Sequence, residues 1–301
     1  GFEEVQRLMQ CAKTVILALG CHPMVNAKEE IDRTTLALPP HQEKLAKMIC
    51  KIKPDAICVL FSNYPYTIHS VQNTLPAIVW SATGSQDMGT AMAQTLYGKN
   101  APAGRLNMTW YNSDDDLPDI DDYDIIRGKR TYRYFDKEVL YPFGHGLTYT
   151  KFLYSNFSVY MSDLAHIEVA FDVKNTGKQT SDEVIQIYAS APKSRVPKPR
   201  RQLLAFERLH DIAPDVLVEA GSAVVHAAVL KLLVVVTSAP YAGGIIRRVA
   251  HEPYIVVGGG GAALAGRSHA CQGSTGAGGV DGHARAGEFA VALHGFRHGI
   301  R

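Results

Sequence analysis

The 301-residue chain has no apolar run near the roughly 18 residues that a membrane-spanning helix needs. Even the stretch Val224 to Val236 is interrupted by His226 and Lys231. Charge of one sign is also lacking. The formal net charge is +2, which argues against nucleic acid as the main partner, because that trade needs a concentrated basic face. Only five cysteines occur (Cys11, Cys21, Cys50, Cys58 and Cys271), an odd number with no C-x-x-C pair. A disulfide framework or zinc ribbon is therefore not expected; the thiols read as buried and free, which favours a reducing compartment. The first residue is Gly1, and the opening residues already read as the interior of a domain, so the chain is expected to be a fragment.

What is present is ordinary globular composition, 46% hydrophobic and 20% charged, in a length that suggests about two domains. The first part alternates apolar strands with helices. Thr14–Leu19, Ala56–Phe61 and Ala77–Trp80 read as buried strands, while His41–Ile52 after Pro39–Pro40, and Gly89–Tyr97, read as helices. Continuous apolar strands separated by helices imply an α/β layer domain, with a mostly parallel sheet covered on both faces by helices. Asp114 to Tyr149, acidic and then aromatic, reads as a surface linker.

From Phe152 the period changes to two. Ile167–Val173, Glu183–Ala189 and Leu203–Leu209, with turn chemistry at Asn175-Thr176-Gly177, suggest a small antiparallel β-sandwich. Beyond Pro214 the composition changes again. Sixteen of the 26 glycines fall in the last 87 residues, but none of the asparagines and only one lysine, Lys231. Glycine, alanine and arginine have GC-rich codons, so the change fits either a flexible tail or translation out of frame. The expected divisions are 1–150, 151–214 and a poorly ordered 215–301.

The loop after the first strand carries the chemistry-bearing residues. Working side chains of parallel α/β sheets gather beyond the carboxyl ends of the strands. Here Gly20 leads into Cys21-His22-Pro23 and on to Lys28-Glu29-Glu30-Ile31-Asp32-Arg33. Glycoside cleavage needs one carboxylic acid to protonate the leaving oxygen and a second carboxylate across the sugar. Glu29 or Glu30 suits the acid, and Asp32 beside Arg33 reads as a structural ion pair. From residue types alone the loop reads as a solvated acidic one.

A resemblance narrows this. Lys28 to Gln42 (KEEIDRTTLALPPHQ), Gly84 to Trp110, Asp122 to Phe152 (with YRYF and YPFGHGLTYT) and Val173 to Leu209 resemble, in order, motifs of glycoside hydrolase family 3. The first three are similar to its C-terminal α/β sandwich domain and the last to the fibronectin type III-like domain that follows. The resemblance implies a retaining exo-β-glycosidase, β-glucosidase-like or β-xylosidase-like. It implies an acid/base Glu on this domain and a nucleophilic Asp on an N-terminal TIM barrel that this chain does not contain. Aligned on Asp32-Arg33, the acid/base falls on Glu29, with Glu30 in reserve. The implied partners are a carbohydrate substrate and that barrel, without nucleic acid or membrane. The alternative is a non-catalytic fragment or a carbohydrate-associated interaction module.

Other features are expected to be structural. Gly144-His145-Gly146 reads as a tight turn anchored by Tyr141 and Phe143. Arg130 and Arg133 are expected to pair with the Asp114–Asp124 cluster, and Tyr132 and Tyr134 either border a sugar or pack in the core. Gly258 to Ala263 fits a dinucleotide fingerprint, but no helix and second strand follow, so no cofactor is expected. The tail histidines (His226, His251, His269, His283, His294 and His298) lack helical pairing, and no metal site is expected.

Overall fold

The computed structural model describes residues 1–21, 33–84, 86–161, 166–191 and 194–220, with short strands at 225–226, 233–237, 254–255 and 290–292. It divides into two units. One comprises Gly1–Asn100 with Arg105–His145; the other comprises Ala101–Gly104 with Gly146–Arg301.

The first unit is built on three parallel strands in the order β1 (Ile16–Gly20), β2 (Ile57–Phe61) and β3 (Ala77–Ser81). Helix α1 (Phe2–Cys11) precedes β1, and α2 (Pro40–Ile52) links β1 to β2. A short α3 (His69–Gln72) lies between β2 and β3, and α4 (Met88–Leu96) follows β3. Pro40 stands at the first turn of α2, where its missing N–H costs nothing. The core joins Met9 of α1, Leu17 and Leu19 of β1, Ala46 and Ile49 of α2, Cys58 and Leu60 of β2, and Val71 of α3. The α/β reading and its parallel sheet hold. Helix α1 was not anticipated, although Val5, Leu8 and Met9 lie at helical spacing.

Of the free cysteines described, only Cys58 is buried, while Cys11 is exposed and Cys21 and Cys50 lie between. The expectation of uniformly buried thiols is corrected here, because Cys11 closes α1 at its surface end.

The acidic–aromatic segment also differs from the surface linker expected. Strand β4 (Trp110–Tyr111) pairs antiparallel with β5 (Val139–Tyr141), with the short α5 (Thr131–Tyr134) between them. Phe135 is buried edge-on against Tyr111, with ring centroids 4.9 Å apart, and Tyr141 packs on Trp110 at 5.8 Å. Its aromatic half therefore contributes to a core, as the burial value of such rings favours.

The second unit is made of β6 (Phe152–Met161), β7 (His166–Asn175), β8 (Ser181–Ser190), β9 (Gln202–Ile212), β10 (Leu217–Ala220), β11 (Val225–His226), β12 (Leu233–Thr237), β13 (Tyr254–Ile255) and β14 (Ala290–Ala292). In one sheet β7 pairs with β6, β10 and β11, all antiparallel. The other runs β13-β14-β12-β8-β9, antiparallel at β12–β8–β9 and parallel at β12–β14–β13. Residues 152–212 thus pair only antiparallel, whereas the parallel pairs come from later strands. Tyr154, Val169, Phe171 and Val173 of one sheet share a core with Ile185, Ile187 and Ile212 of the other.

Candidate active-site edge

Parallel strands end on one side of their sheet. Gly20, Phe61 and Ser81 close β1, β2 and β3 in register, so the segments that follow them leave from a common edge. Glu29, Glu30 and Asp32 lie outside the described residues, but both margins of their segment are described.

At the first margin, Gly20 approaches Phe61 so closely that a Cβ would stand 2.2 Å from the Phe61 carbonyl oxygen. Only glycine fits there. The Gln42 side chain donates from Nε2 to the Gly20 carbonyl at 2.8 Å and accepts from the Gly20 N–H at Oε1, 3.0 Å away. At the second margin, Arg33 donates to the Pro65 carbonyl at 3.2 Å. Its guanidinium lies 4.1 Å from the Tyr64 ring centre and 5.0 Å from that of Tyr66. Asp114 then accepts from the Leu36 N–H at 2.6 Å and the Thr35 hydroxyl at 2.5 Å.

The segment after β2 is equally fixed. Ser62, fully buried, donates to the Tyr64 carbonyl and accepts from the Tyr64 N–H at 3.1 Å. Burial pushes the Tyr66 phenol up to about 12, against the opposing pull of the Arg33 charge. Tyr64 is raised as well, first by burial. Both rings therefore stay neutral beside a cation and serve it as π faces. Asn63 in turn accepts from the Thr83 N–H at 2.7 Å, which ties the segment after β2 to the one after β3.

The motif around His145 forms a turn. Gly144 has φ 82°, the left-handed region, and the Leu106 backbone pairs with it from both sides: Gly144 N–H to Leu106 O at 2.7 Å, and Leu106 N–H to His145 O at 2.8 Å. Burial, and secondarily the charge of Arg105, push the His145 imidazole down to about 4. Tyr132 stacks on Phe143 with centroids 4.2 Å apart, so its ring face is occupied by protein.

The arginine expectation needs correction. Arg130 does not pair with carboxylates: it donates to the backbone carbonyls of Asp119 at 2.9 Å and of Asp122 at 2.6 Å. Arg127 is the partner of the Asp122 carboxylate, at 2.9 Å. The reason is local. The Asp122 and Asp124 side chains accept from following backbone N–H groups, which curls the chain and turns its carbonyls toward Arg130. Among the described residues no group of three or more His, Cys, Asp or Glu side chains is placed to hold a metal ion.

The model of the glycosyl hydrolase family 3 C-terminal domain matches residues 1–149, the stretch that contains this edge. Residues 1–149 belong to that family. The chain is 32% identical over 202 residues to thermostable beta-glucosidase B of Acetivibrio thermocellus, covering 60% of this chain and 26% of that protein. It is 37% identical over 179 residues to a xylan 1,4-beta-xylosidase of Xylanibacter ruminicola, covering 59% and 20%. Among solved structures, the beta-glucosidase of Kluyveromyces marxianus superposes with a TM-score of 0.67 at 28% identity, over 73% of this chain and 27% of that one. A beta-glucosidase of Streptomyces venezuelae solved with D-glucose gives 0.65 at 26% identity, over 74% and 30%. The chain thus spans 30% or less of each of these proteins.

What the sequence missed is the clasp at the first margin. Gln42 was visible only as a motif letter, because its partners are backbone groups 22 residues away. Arg33 was expected to pair with its neighbour Asp32; within the described residues it is held by Pro65 and two tyrosine rings.

Proposed function

We propose that this chain supplies the acid/base half of a retaining exo-β-glycosidase site, with Glu29 as the group and Glu30 in reserve. The observation that carries the reading is position. Glu29 lies in the segment that leaves β1 at the carboxyl edge of the family 3 domain's sheet, three residues before Asp32-Arg33. In the first step its protonated carboxyl gives a proton to the departing glycosidic oxygen while a carboxylate roughly 5 Å away attacks the anomeric carbon. In the second, the resulting carboxylate takes a proton from the water that releases the sugar.

The attacking carboxylate belongs to the barrel that the family resemblance implies, so this chain alone gives no turnover. β-Glucosides come first as substrates and β-xylosides second, in keeping with the beta-glucosidases and beta-xylosidase among the relatives. Under the same reading residues 151–214 form the fibronectin type III-like companion, supported by two sheets around one core. Strands β10, β11 and β12, beyond residue 215, pair with β7 and β8 and so continue the sheets of this companion.

The test is kinetic, in an enzyme completed with a family 3 barrel. Glu29→Gln should lower kcat on poor leaving groups by about 10²-fold or more. It should spare the first step for dinitrophenyl glycosides, and azide should restore turnover. Glu30→Gln should do none of these. Unchanged turnover of poor leaving groups by Glu29→Gln sinks the assignment.

A further inference from the structure

We propose that the connection from β8 to β9 forms a binding cleft for an acidic sugar, a hexuronate carried on an oligosaccharide. Charge marks the place. No Asp or Glu occurs between Glu183 and Glu207, while Arg195, Lys198, Arg200 and Arg201 fall within seven residues. The whole chain carries only +2, so the rest of it is net negative. Among the described residues neither Arg195 nor Lys198 has a carboxylate partner. A local excess of one sign concentrates ligands of the other.

The backbone presents these charges in order. Ser190, the last residue of β8, donates its hydroxyl to the Arg200 carbonyl and so closes the base of the connection. Pro197 and Pro199 disfavour helical backbone at the residues before them, Val196 and Lys198. That restriction removes part of the freedom that binding would otherwise cost. Ser194, Val196, Lys198 and Arg200 are alternate residues, and all four line one cleft of about 390 Å³, with Ser190 and Pro199 beside them. Alternate side chains share a face when the chain is extended. The odd-numbered Arg201 instead lies 5.6 Å from the centre of the Tyr188 ring.

The walls select the ligand. Lys198 and Arg200 suit a carboxylate, which pairs with ammonium and guanidinium groups through charge-assisted hydrogen bonds. The Ser194 hydroxyl accepts from the Val196 N–H at 3.3 Å and keeps its proton to donate, whereas Ser190 has given its proton and keeps lone pairs. A donor and an acceptor side by side match sugar hydroxyls, each of which is both. Val196 and Pro199 supply apolar surface for the C–H face of a ring. The volume lies at the small end of the roughly 300–1,000 Å³ of small-molecule sites, which suits one ring and its carboxylate. None of the walls is aromatic, which disfavours nucleobases, because these stack on aromatic rings. Choosing a sugar acid over other organic anions rests on the glycosidase reading above; the charge and shape of the cleft do not.

The experiment titrates the full 301-residue chain at low salt with a xylo-oligosaccharide bearing one glucuronate, and with the same oligosaccharide unsubstituted, followed by ligand-observed NMR. The acidic ligand should bind at least about tenfold tighter. Raising the salt to about 0.5 M should remove most of that preference. Lys198→Gln should weaken the acidic ligand about tenfold without moving the thermal midpoint, because Lys198 is exposed, and Lys198→Arg should restore binding to within about threefold. Equal binding of the two oligosaccharides, or unchanged binding by Lys198→Gln, overturns the site. Inorganic phosphate or a DNA dinucleotide binding as tightly as the acidic oligosaccharide would mean attraction of charge without recognition of sugar, and overturns it too. Binding is read without turnover, so a silent Glu29→Gln in the barrel-completed enzyme sinks the acid/base reading while the titrations still decide the cleft.

Discussion

His145 shows how one buried side chain sets a pH response. The imidazole is pushed down to about 4 by burial and by Arg105, and it sits against Tyr141 with centroids 4.9 Å apart. In the unfolded chain it would take up a proton near pH 6.5. Between those values the unfolded state binds more protons. Stability is therefore complete above about pH 6.5 and falls as the pH drops toward 4, by up to about 3 kcal/mol. Urea midpoints measured at pH 7.0 and 4.5 should converge for His145→Gln relative to wild type; parallel acid losses in the two proteins would refute this origin. Residue roles divided sharply in what the sequence disclosed. Gly144 announced its turn, because φ 82° selects glycine. Glu29 was singled out by motif and position, since an isolated acidic residue carries no physical mark of catalysis. The roles of Gln42 and Arg33 depend on carbonyls and rings brought near only by folding.

At the scale of elements, the apolar strands of the parallel sheet were readable to within two residues: Thr14–Leu19 became Ile16–Gly20, and Ala56–Phe61 became Ile57–Phe61. Continuous apolar runs admit little ambiguity, although only β2 is buried through its middle, while β1 alternates buried Leu17 and Leu19 with exposed Ile16 and Ala18. Strand β6 was harder. Its sequence FLYSNFSVYM breaks alternation midway, and the register to β7 shifts between Ser155 and Ser158, where Asn156 takes φ 53°. A bulge of this kind resets which residues face inward, so a period-two search fails across it. The turn signal at Asn175-Thr176-Gly177 was sound, yet Asn175 does more than turn the chain. Fully buried at the end of β7, it accepts from the Thr150 hydroxyl at 2.5 Å and the Gly177 N–H at 3.0 Å. It donates to the carbonyls of Gln179 at 2.8 Å and Ile212 at 2.7 Å. Aspartate keeps the size but donates to neither carbonyl. Asn175→Asp should destabilise the second unit by about 2–4 kcal/mol, read as a lowered denaturation midpoint at pH 7. A shift within error would mean that these bonds are replaced by water at no cost.

The molecule as a whole is two units, one around a parallel sheet and one around two sheets that share a core. That division follows from the change of hydrophobic period near Phe152, which is a global property and survives errors in individual strands. Composition could not reveal that Ala101–Gly104 groups with the second unit, since four residues carry no period. The order of the sheet has a further consequence. Among the described residues nothing pairs with β1 on the side away from β2, and Ile16 remains half exposed there. Gln42 occupies the outward groups of Gly20 alone; by the same parity those of Ile16 and Ala18 face outward too. A bare strand margin is a template for another strand. Copies of this chain at high concentration should therefore join margin to margin, and Ala18→Lys, which sets a charge on that border, should lower the light scattering of concentrated samples without moving the thermal midpoint.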